Sequence, residues 1–192
     1  MTRGDLSDQD LARAARDGDT DAFGVLVERH QVRVYGFLLK VTRNRTTAED
    51  LAQETFLRAW RGLRTFDVDA RFAPWLCRIG VNLVSDWASD ARRSPVGEWM
   101  DAADRARDER PGPEERATSR QMEAAVQRRI LDLPEDMRQA VLLRHVMGLS
   151  YAEVADATGQ PLGTVKTNLF RARQRLKQFL DEMMGEPCIA KR

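Results

Sequence analysis

The sequence has few of the residues on which metal and enzyme chemistry usually depend. It contains two histidines and two cysteines, and each cysteine is far in sequence from the other cysteine and from both histidines. A structural metal site needs several such ligands at short, regular spacing, so we expect no metal and no other cofactor. A glycine-rich phosphate loop and a nucleophile motif are also missing. Without them we expect no catalysis by this chain.

Long apolar runs and a leader segment are missing as well. No stretch approaches the roughly 20 apolar residues of a membrane span, and the first residues are charged throughout, unlike a signal peptide. Two isolated cysteines indicate a reducing compartment, so we expect a soluble, cytoplasmic protein. The net charge is only +1, so any nucleic-acid site must be a local patch.

Alternating β-branched runs are absent too, and apolar residues recur at every third and fourth position, which predicts an all-α fold. Thr46 with Glu49, or Thr47 with Asp50, could cap the third helix. The predicted helices cover residues 5–17, 21–42, about 46–64, 73 to about 92, and 121–133, and a further helix starts near Pro134.

The composition changes between residues 94 and 118. This segment holds three prolines, two glycines and seven acidic residues against four arginines, which is typical of a flexible acidic linker. We therefore predict two small helical domains, a helical bundle over residues 19–93 and a second domain over 119–184. The linker 94–118 joins them, and a short tail, 185–192, follows.

The second domain contains a helix-turn-helix pattern. Ser150 and Glu153 form a predicted capping box, a short amphipathic helix follows, and Gly159 supplies a sharp turn. The next helix is basic and carries no acid until Asp181. Two helices joined by a glycine turn, with a basic second helix, favour duplex DNA binding. Basic helix faces are often merely solvated, but Phe170 lies on this polar face, where it could contact a thymine methyl group.

The first domain carries two unusual surfaces. Leu57 lies opposite the apolar stripe of its helix and is a candidate anchor for a protein partner, although an ordinary surface leucine is about equally compatible. Further along, Arg71, Trp75, Arg78 and Asn82 share one flank of a helix. Cations with an aromatic and an amide suit single-stranded nucleic acid. Trp75 could equally close the edge of the core.

Two long segments resemble the sigma-70 family of RNA polymerase sigma factors, in its small extracytoplasmic-function group. AEDLAQETFLRAWRGLRTF followed by RFAPWLCRIGVN resembles the second conserved region of that family. LDLPEDMRQAVLLRHVMGLSYAEVADATGQPLGTVKTNLFRARQRL resembles the fourth. The resemblance implies a sigma-2-like helical bundle and a sigma-4-like helix-turn-helix domain. It also implies a promoter-specificity subunit that directs transcription initiation, typically in a stress or envelope response.

The resemblance further implies a role for each surface. Contacts with polymerase are expected at Asp50, Gln53, Glu54, Leu57 and Arg61. Contacts with the opened minus-ten element are expected at Phe66, Asp67, Arg71, Trp75, Arg78 and Asn82. Contacts with the minus-thirty-five element are expected at Thr164, Lys166, Thr167, Asn168, Phe170, Arg171 and Arg173.

Three partners follow from the resemblance: core RNA polymerase, promoter DNA and a cognate anti-sigma factor, with a monomer expected for the free chain. The alternative is a stand-alone helix-turn-helix regulator that uses residues 1–93 for sensing or dimerisation. Such a regulator would bind its operator tightly without polymerase, usually as a dimer on a palindrome.

Overall fold

The protein is described here by a computed structural model that covers residues 3–93 and 125–184. Within those ranges every regular element is a helix, which confirms the predicted all-α fold. The helices are α1 Asp8–Arg16, α2 Thr20–Thr42, α3 Arg45–Gly62, α4 Phe72–Arg93, α5 (the helical residues 125–131), α6 Glu135–His145, α7 Tyr151–Thr158 and α8 Leu162–Met184. The predicted linker 94–118 and tail 185–192 lie outside the described residues.

Short polar side chains set the starts of α2 and α3. Asp19 caps α2 by accepting hydrogen bonds from the amides of Asp21 and Ala22 at 3.0 and 3.1 Å. Asn44 caps α3, since its side-chain oxygen accepts from the amide of Thr47 at 2.9 Å. The predicted capping by Thr46 or Thr47 is therefore wrong. The helix begins at Arg45, which places both threonines inside its first turn.

Helix α2 is the centre of the first helical group, because it packs against α1, α3 and α4. Its buried side chains lie along one side of the helix and include Leu26, His30 and Leu38. Burial of such a stripe, rather than intrinsic helix propensity, provides most of the stability of a helix in a folded protein. The rigid frame formed by α2 and α3 therefore fixes the outward faces of both helices.

The second group consists of α6, α7 and α8, which pack against one another around Leu143, Val154 and Leu169. Ser150 caps α7 in the predicted capping box, in which both reciprocal hydrogen bonds form. Gly159 ends α7 with a φ of 68°, a backbone conformation that strongly favours glycine. The capping box and the glycine turn therefore determine where α7 begins and ends, and so where α8 can start.

The two helical groups contact each other through α4 with α7 and through α2 with α6. A second buried stripe on α4, consisting of Cys77, Val81 and Val84, was not predicted from the sequence. The first stripe of α4 consists of the buried Phe72, Leu76 and Leu83 and the half-buried Ile79 and Trp87, which recur at the spacing of three and four residues expected for a helix. Helix α4 is thus apolar on two faces.

A search of residues 3–93 and 125–184 for a helix long and apolar enough to cross a membrane finds none.

Candidate protein and nucleic-acid interfaces

An apolar groove lies between the outward faces of α2 and α3. It has a volume of about 650 Å³, and its walls include Phe23, Val32, Leu57 and Trp60. Leu57 is 49 % exposed and Val32 is 75 % exposed, while the rings of Phe23 and Trp60 contact each other in a tilted arrangement, with their centroids 5.0 Å apart. Burial of the exposed half of Leu57 on a partner would contribute about 1 kcal/mol. The groove is therefore suited to an apolar protein segment.

Polar residues surround this groove on α3. Asp50, Gln53 and Arg61 are exposed, as their predicted role requires. Glu54 is half-buried and pairs with Arg58 at 2.8 Å along the same helix. The Glu54 carboxylate is therefore already partnered, so a protein that bound this face of α3 would have to compete with Arg58 or accept both side chains.

The contribution of α2 to the groove was not predicted from the sequence. Val32 is the most exposed large apolar residue of the described chain. It lies two residues from the buried His30 and Val34, which places it on the opposite side of α2. A helical wheel of α2 would have revealed it, as the wheel of α3 revealed Leu57.

The predicted minus-ten flank lies on α4 and the loop before it. Arg71, Arg78 and Asn82 are all exposed. Arg78 and Asn82 are four residues apart on α4, which places them on one side of the helix, and Arg71 lies two helical turns before Arg78, in the loop that leads into α4. The flank therefore presents two guanidinium groups and an amide to solvent, which suits contact with phosphates and base edges.

Phe66 and Trp75 take part in an aromatic cluster beneath this flank. Phe66 is buried, at 4.7 Å from the ring of Trp75 and 5.9 Å from that of Phe72. Trp75 is half-buried and also contacts Phe72 at 5.7 Å. In this arrangement the ring of Phe66 does not reach the surface and packs beneath the loop. Trp75 closes the edge of the core, the alternative left open by the sequence.

The loop between Phe66 and Phe72 is organised by Asp67. Its side chain accepts a hydrogen bond from the amide of Asp69 at 3.0 Å, and its carbonyl accepts from the amide of Ala70 at 3.0 Å. Asp67 thus shapes the turn by an Asx-type contact. Arg13 of α1 lies 3.8 Å from Asp69, which ties the loop to α1 as well.

Arg71 at the end of this loop is bound by the second helical group. Its guanidinium donates to Glu153 of α7 at 2.7 Å. The same carboxylate accepts from the amide of Ser150 at 2.7 Å. Burial alone would raise the pKa of Glu153, but hydrogen bonds from Ser150 and the charge of Arg71 outweigh it and lower that pKa. The carboxylate is thus charged and held in place.

Helix α8 presents the predicted DNA face to solvent. Phe170 is 61 % exposed, and the cationic and hydroxyl side chains around it are exposed too: Thr164, Lys166, Thr167, Arg171 and Arg173. The apolar side of the same helix is buried at Val165, Leu169 and Ala172. A cationic face with an outward aromatic is suited to a major groove, where phosphate contacts position the helix and base edges are accessible.

Asn168 is buried, unlike the other residues predicted to contact the minus-thirty-five element. It is only 9 % exposed, and its side-chain amide donates to the side-chain oxygen of Gln160 at 3.4 Å. Asn168 follows Val165 by three residues and therefore shares its inner face. In this arrangement its side chain is directed to the turn before α8.

His145 lies beside the DNA face, at the end of α6. Partial burial and the nearby charges of Arg173 and Arg144 lower the pKa of His145, which favours its neutral form. A search for metal sites in residues 3–93 and 125–184 finds no group of three candidate ligands.

Known proteins resemble both helical groups. Residues 26–94 match the family model "Sigma-70 region 2", and residues 123–176 match "Sigma-70, region 4". The chain is 33 % identical to RNA polymerase sigma-H factor of Pseudomonas aeruginosa, over 93 % of this chain and 96 % of that protein. It is 34 % identical to ECF RNA polymerase sigma-E factor of Haemophilus influenzae, over 93 % of this chain and 98 % of that protein.

A solved structure resembles the fold across both groups. The structure of CnrH in complex with the cytosolic domain of CnrY matches with a TM-score of 0.67 and 30 % sequence identity. The match covers 91 % of this chain and 97 % of CnrH. The likeness therefore extends beyond a single helix-turn-helix to both helical groups.

Proposed function

The chain belongs to the sigma-70 family, as an extracytoplasmic-function (ECF) RNA polymerase sigma factor that directs promoter-specific transcription initiation, and we propose that three of its surfaces divide this work. The groove between α2 and α3 binds core RNA polymerase. The 67–71 loop and the α4 flank bind the opened minus-ten element. The outward face of α8 binds the minus-thirty-five element.

One observation carries this division. The exposed apolar anchor Leu57 and the exposed cationic face around Phe170 lie on different helical groups. A protein partner and duplex DNA can therefore bind at the same time. The stand-alone regulator is not favoured, because both helical groups, and not only the helix-turn-helix, match sigma-factor regions.

The minus-ten role is assigned to fewer residues than the sequence predicted. We assign it to Asp67, Arg71, Arg78 and Asn82, which are exposed. Phe66 and Trp75 support these residues from below, as their ring contacts indicate. On α8 we leave Asn168 out of the proposed minus-thirty-five contacts, because its side chain is buried.

An anti-sigma factor is a further proposed partner. CnrH, which resembles this chain, was solved in complex with the cytosolic domain of CnrY. We infer that a comparable protein covers the polymerase groove of this chain and keeps it from core polymerase. We also place the chain in the cytoplasm, where its proposed polymerase and promoter partners are found, and propose that it acts by binding alone, without catalysis.

Run-off transcription tests the proposed function. Purified core polymerase is mixed with this chain and a library of templates that vary the two promoter elements. We expect products that require the chain and that share one minus-thirty-five and one minus-ten sequence. The absence of any promoter-dependent product across the library would contradict the proposal. The variant Leu57→Asp, with its anchor replaced by a charge, serves as the negative control.

A further inference from the structure

Gly62, the last residue of α3, has a backbone conformation that does not require glycine. Its φ and ψ are −83° and −8°, a right-handed helical conformation that residues with a Cβ also adopt. Glycine at a helical position is less favourable than alanine, because glycine loses more conformational freedom on folding. The feature that favours glycine at this position is therefore the space around it and not the backbone.

The indole ring of Trp75 occupies the space that a side chain at position 62 would need. An added Cβ would lie 3.2 Å from Cζ2 and 3.7 Å from Cη2 of that ring. Carbon atoms are in favourable contact at about 3.5–4.0 Å, so even one methyl group would press against the indole. The indole is rigid and cannot bend away as a long flexible side chain would. It would have to move as a whole.

Two further rings hold the indole from other directions. The centroid of Trp75 lies 4.7 Å from that of Phe66 and 5.7 Å from that of Phe72, and these three residues form the aromatic cluster. Phe66 and Phe72 are buried, so neither ring can turn to solvent without losing buried apolar area. They also stand at the two ends of the 67–71 loop. A displaced indole would therefore disturb both ends of that loop.

The same pair of helices contains a second glycine contact that leaves more room. Gly80 of α4 faces Thr55 of α3, and an added Cβ would lie 3.6 Å from its Oγ1 and 3.8 Å from its Cγ2. Both are ordinary contact distances. Helices α3 and α4 thus approach each other closely at both glycines, and of these two positions it is 62 that has no room for a methyl group.

We propose that Gly62 is a positioning residue for the minus-ten loop. By leaving space for the indole of Trp75, it keeps the aromatic cluster together and so sets the position of Asp67 and Arg71 above that cluster. The connection to DNA rests on the proposed function above, whereas the contact between Gly62 and the indole does not. A methyl group at position 62 shifts the loop without breaking either helix.

Fluorine NMR measures the position of the indole in the full chain, without DNA. Labelling with 5-fluorotryptophan marks all four tryptophans, and the signal missing from Trp75→Phe is that of Trp75. Trp87→Phe identifies a reference signal from the same helix in the same way. We expect Gly62→Ala to shift the Trp75 signal and to leave the Trp87 signal in place, whereas Gly80→Ala shifts neither. An unshifted Trp75 signal in Gly62→Ala would overturn the proposal.

Urea unfolding separates crowding from the general effect of alanine. Gly80→Ala should raise the folding equilibrium constant about 2- to 5-fold, the usual gain when a helical glycine is replaced. At position 62 the overpacked methyl group opposes that gain, so the folding equilibrium constant of Gly62→Ala should be about fivefold or more below that of Gly80→Ala. Equal gains in the two variants would show that position 62 has room for a methyl group and would overturn the proposal.

Binding of a single-stranded minus-ten oligonucleotide tests the role of the loop, with this chain in complex with core polymerase. To return the loop to its wild-type position, Gly62→Ala has to press the indole against the new methyl group. Its affinity should therefore fall about fivefold or more, while Gly80→Ala binds as wild type does. A shifted indole with unchanged oligonucleotide affinity would overturn the positioning role.

A second substitution at Trp75 shows whether the two positions act through their contact. Trp75→Phe removes the ring atoms that meet the methyl group, so Gly62→Ala should weaken oligonucleotide binding less in that background than in wild type. Equal losses in both backgrounds would contradict the contact. A wild-type complex that does not bind the oligonucleotide would overturn the minus-ten assignment instead, and the fluorine signals and urea unfolding then decide the contact by themselves.

Discussion

Leu57 is half-exposed, and most of its neighbours in the groove are apolar as well. A single exposed leucine is common on protein surfaces, but an apolar groove formed by two helices is typical of a binding site. The side chain of Leu57 contributes little to the core, so a substitution there can change partner binding without changing the stability of the fold.

We expect Leu57→Asp to abolish binding to core polymerase, because a carboxylate would be desolvated in an apolar contact. The free energy of unfolding should change by less than about 0.5 kcal/mol, as for other surface substitutions. Co-purification with core polymerase and a thermal melt measure the two effects. Gln127→Asp, an exposed position on α5, is the matched control. A Leu57→Asp protein that unfolds would show that Leu57 belongs to the core.

Arg171 is an exposed cation on the outward face of α8. If it contacts a base, Arg171→Ala should cost about 1–3 kcal/mol and relax specificity at that position of the minus-thirty-five element. If it contacts a phosphate, binding should weaken for all sequences and the salt slope should fall by about one. Binding of the polymerase complex to matched and mismatched promoters, at several salt concentrations, separates the two. No change in either quantity would remove Arg171 from the interface.

Asp8 ties α1 to α2 by accepting hydrogen bonds from Arg29 at 2.8 Å and from His30 at 2.6 Å. Burial alone would raise the pKa of Asp8, but the bonds from Arg29 and His30 outweigh it and hold that pKa below its usual value of 3.8. A lowered pKa in the folded state stabilises the protein above the unfolded-state pKa of about 3.9. This stabilisation is lost as the pH falls through the folded-state pKa.

We therefore expect Asp8→Asn to be less stable than wild type at pH 7, with a gap that narrows once the pH falls below about 4. Denaturant unfolding at several pH values measures the gap. Asp156→Asn, at an exposed position of α7, should show no such pH-dependent gap. A constant difference between Asp8→Asn and wild type at all pH values would mean that ionisation of Asp8 does not stabilise the fold.

Among the elements, α1 lies outside the match to region 2, which begins at residue 26, yet it supports the proposed minus-ten surface. Helix α1 packs against α2, the turn Leu63–Thr65 and α4. His30, which Asp8 holds, lies 5.5 Å from the ring of Phe72. Through Phe72 and the Arg13–Asp69 pair, α1 supports the base of the proposed minus-ten loop.

Helix α7 depends on its capping box, because a helix of eight residues has few internal hydrogen bonds. Ser150→Ala should lower the free energy of unfolding by about 1 kcal/mol. Ser89→Ala is the control: the Ser89 hydroxyl donates to the carbonyl of Ser85 inside α4, where alanine is at least as favourable. Urea unfolding compares the two. An equal loss for both variants would mean that the cap is not the source of the effect.

At the scale of the whole molecule, the proposed function gives each helical group one modest DNA contact, and the two contacts would act together once polymerase holds both groups. Linking two binding events raises the apparent affinity by about 10²- to 10⁴-fold. We expect the free chain to bind promoter DNA at least about tenfold more weakly than its complex with polymerase, in gel shifts at one salt concentration. Tight binding by the free chain to a palindrome would favour the stand-alone regulator.

Much of this architecture follows from patterns within single helices. The capping box at Ser150, the turn at Gly159 and the exposure of Leu57 and Phe170 depend only on spacing and local chemistry. The burial of Phe66 and Asn168 cannot be predicted in this way, because a helical wheel gives only the direction of a side chain and does not show which neighbouring element covers that side chain. The Arg71–Glu153 pair joins residues 82 positions apart, beyond the reach of any local pattern.

The Cys77–Val81–Val84 stripe has a consequence for how the protein can change over evolution. Its side chains are small, so each gains less from burial than a leucine or phenylalanine would. Larger apolar residues at these positions would strengthen the contact between α4 and α7, whereas polar residues would weaken it. Substitutions at these three positions can therefore change how firmly the two helical groups hold together without altering any of the proposed DNA contacts.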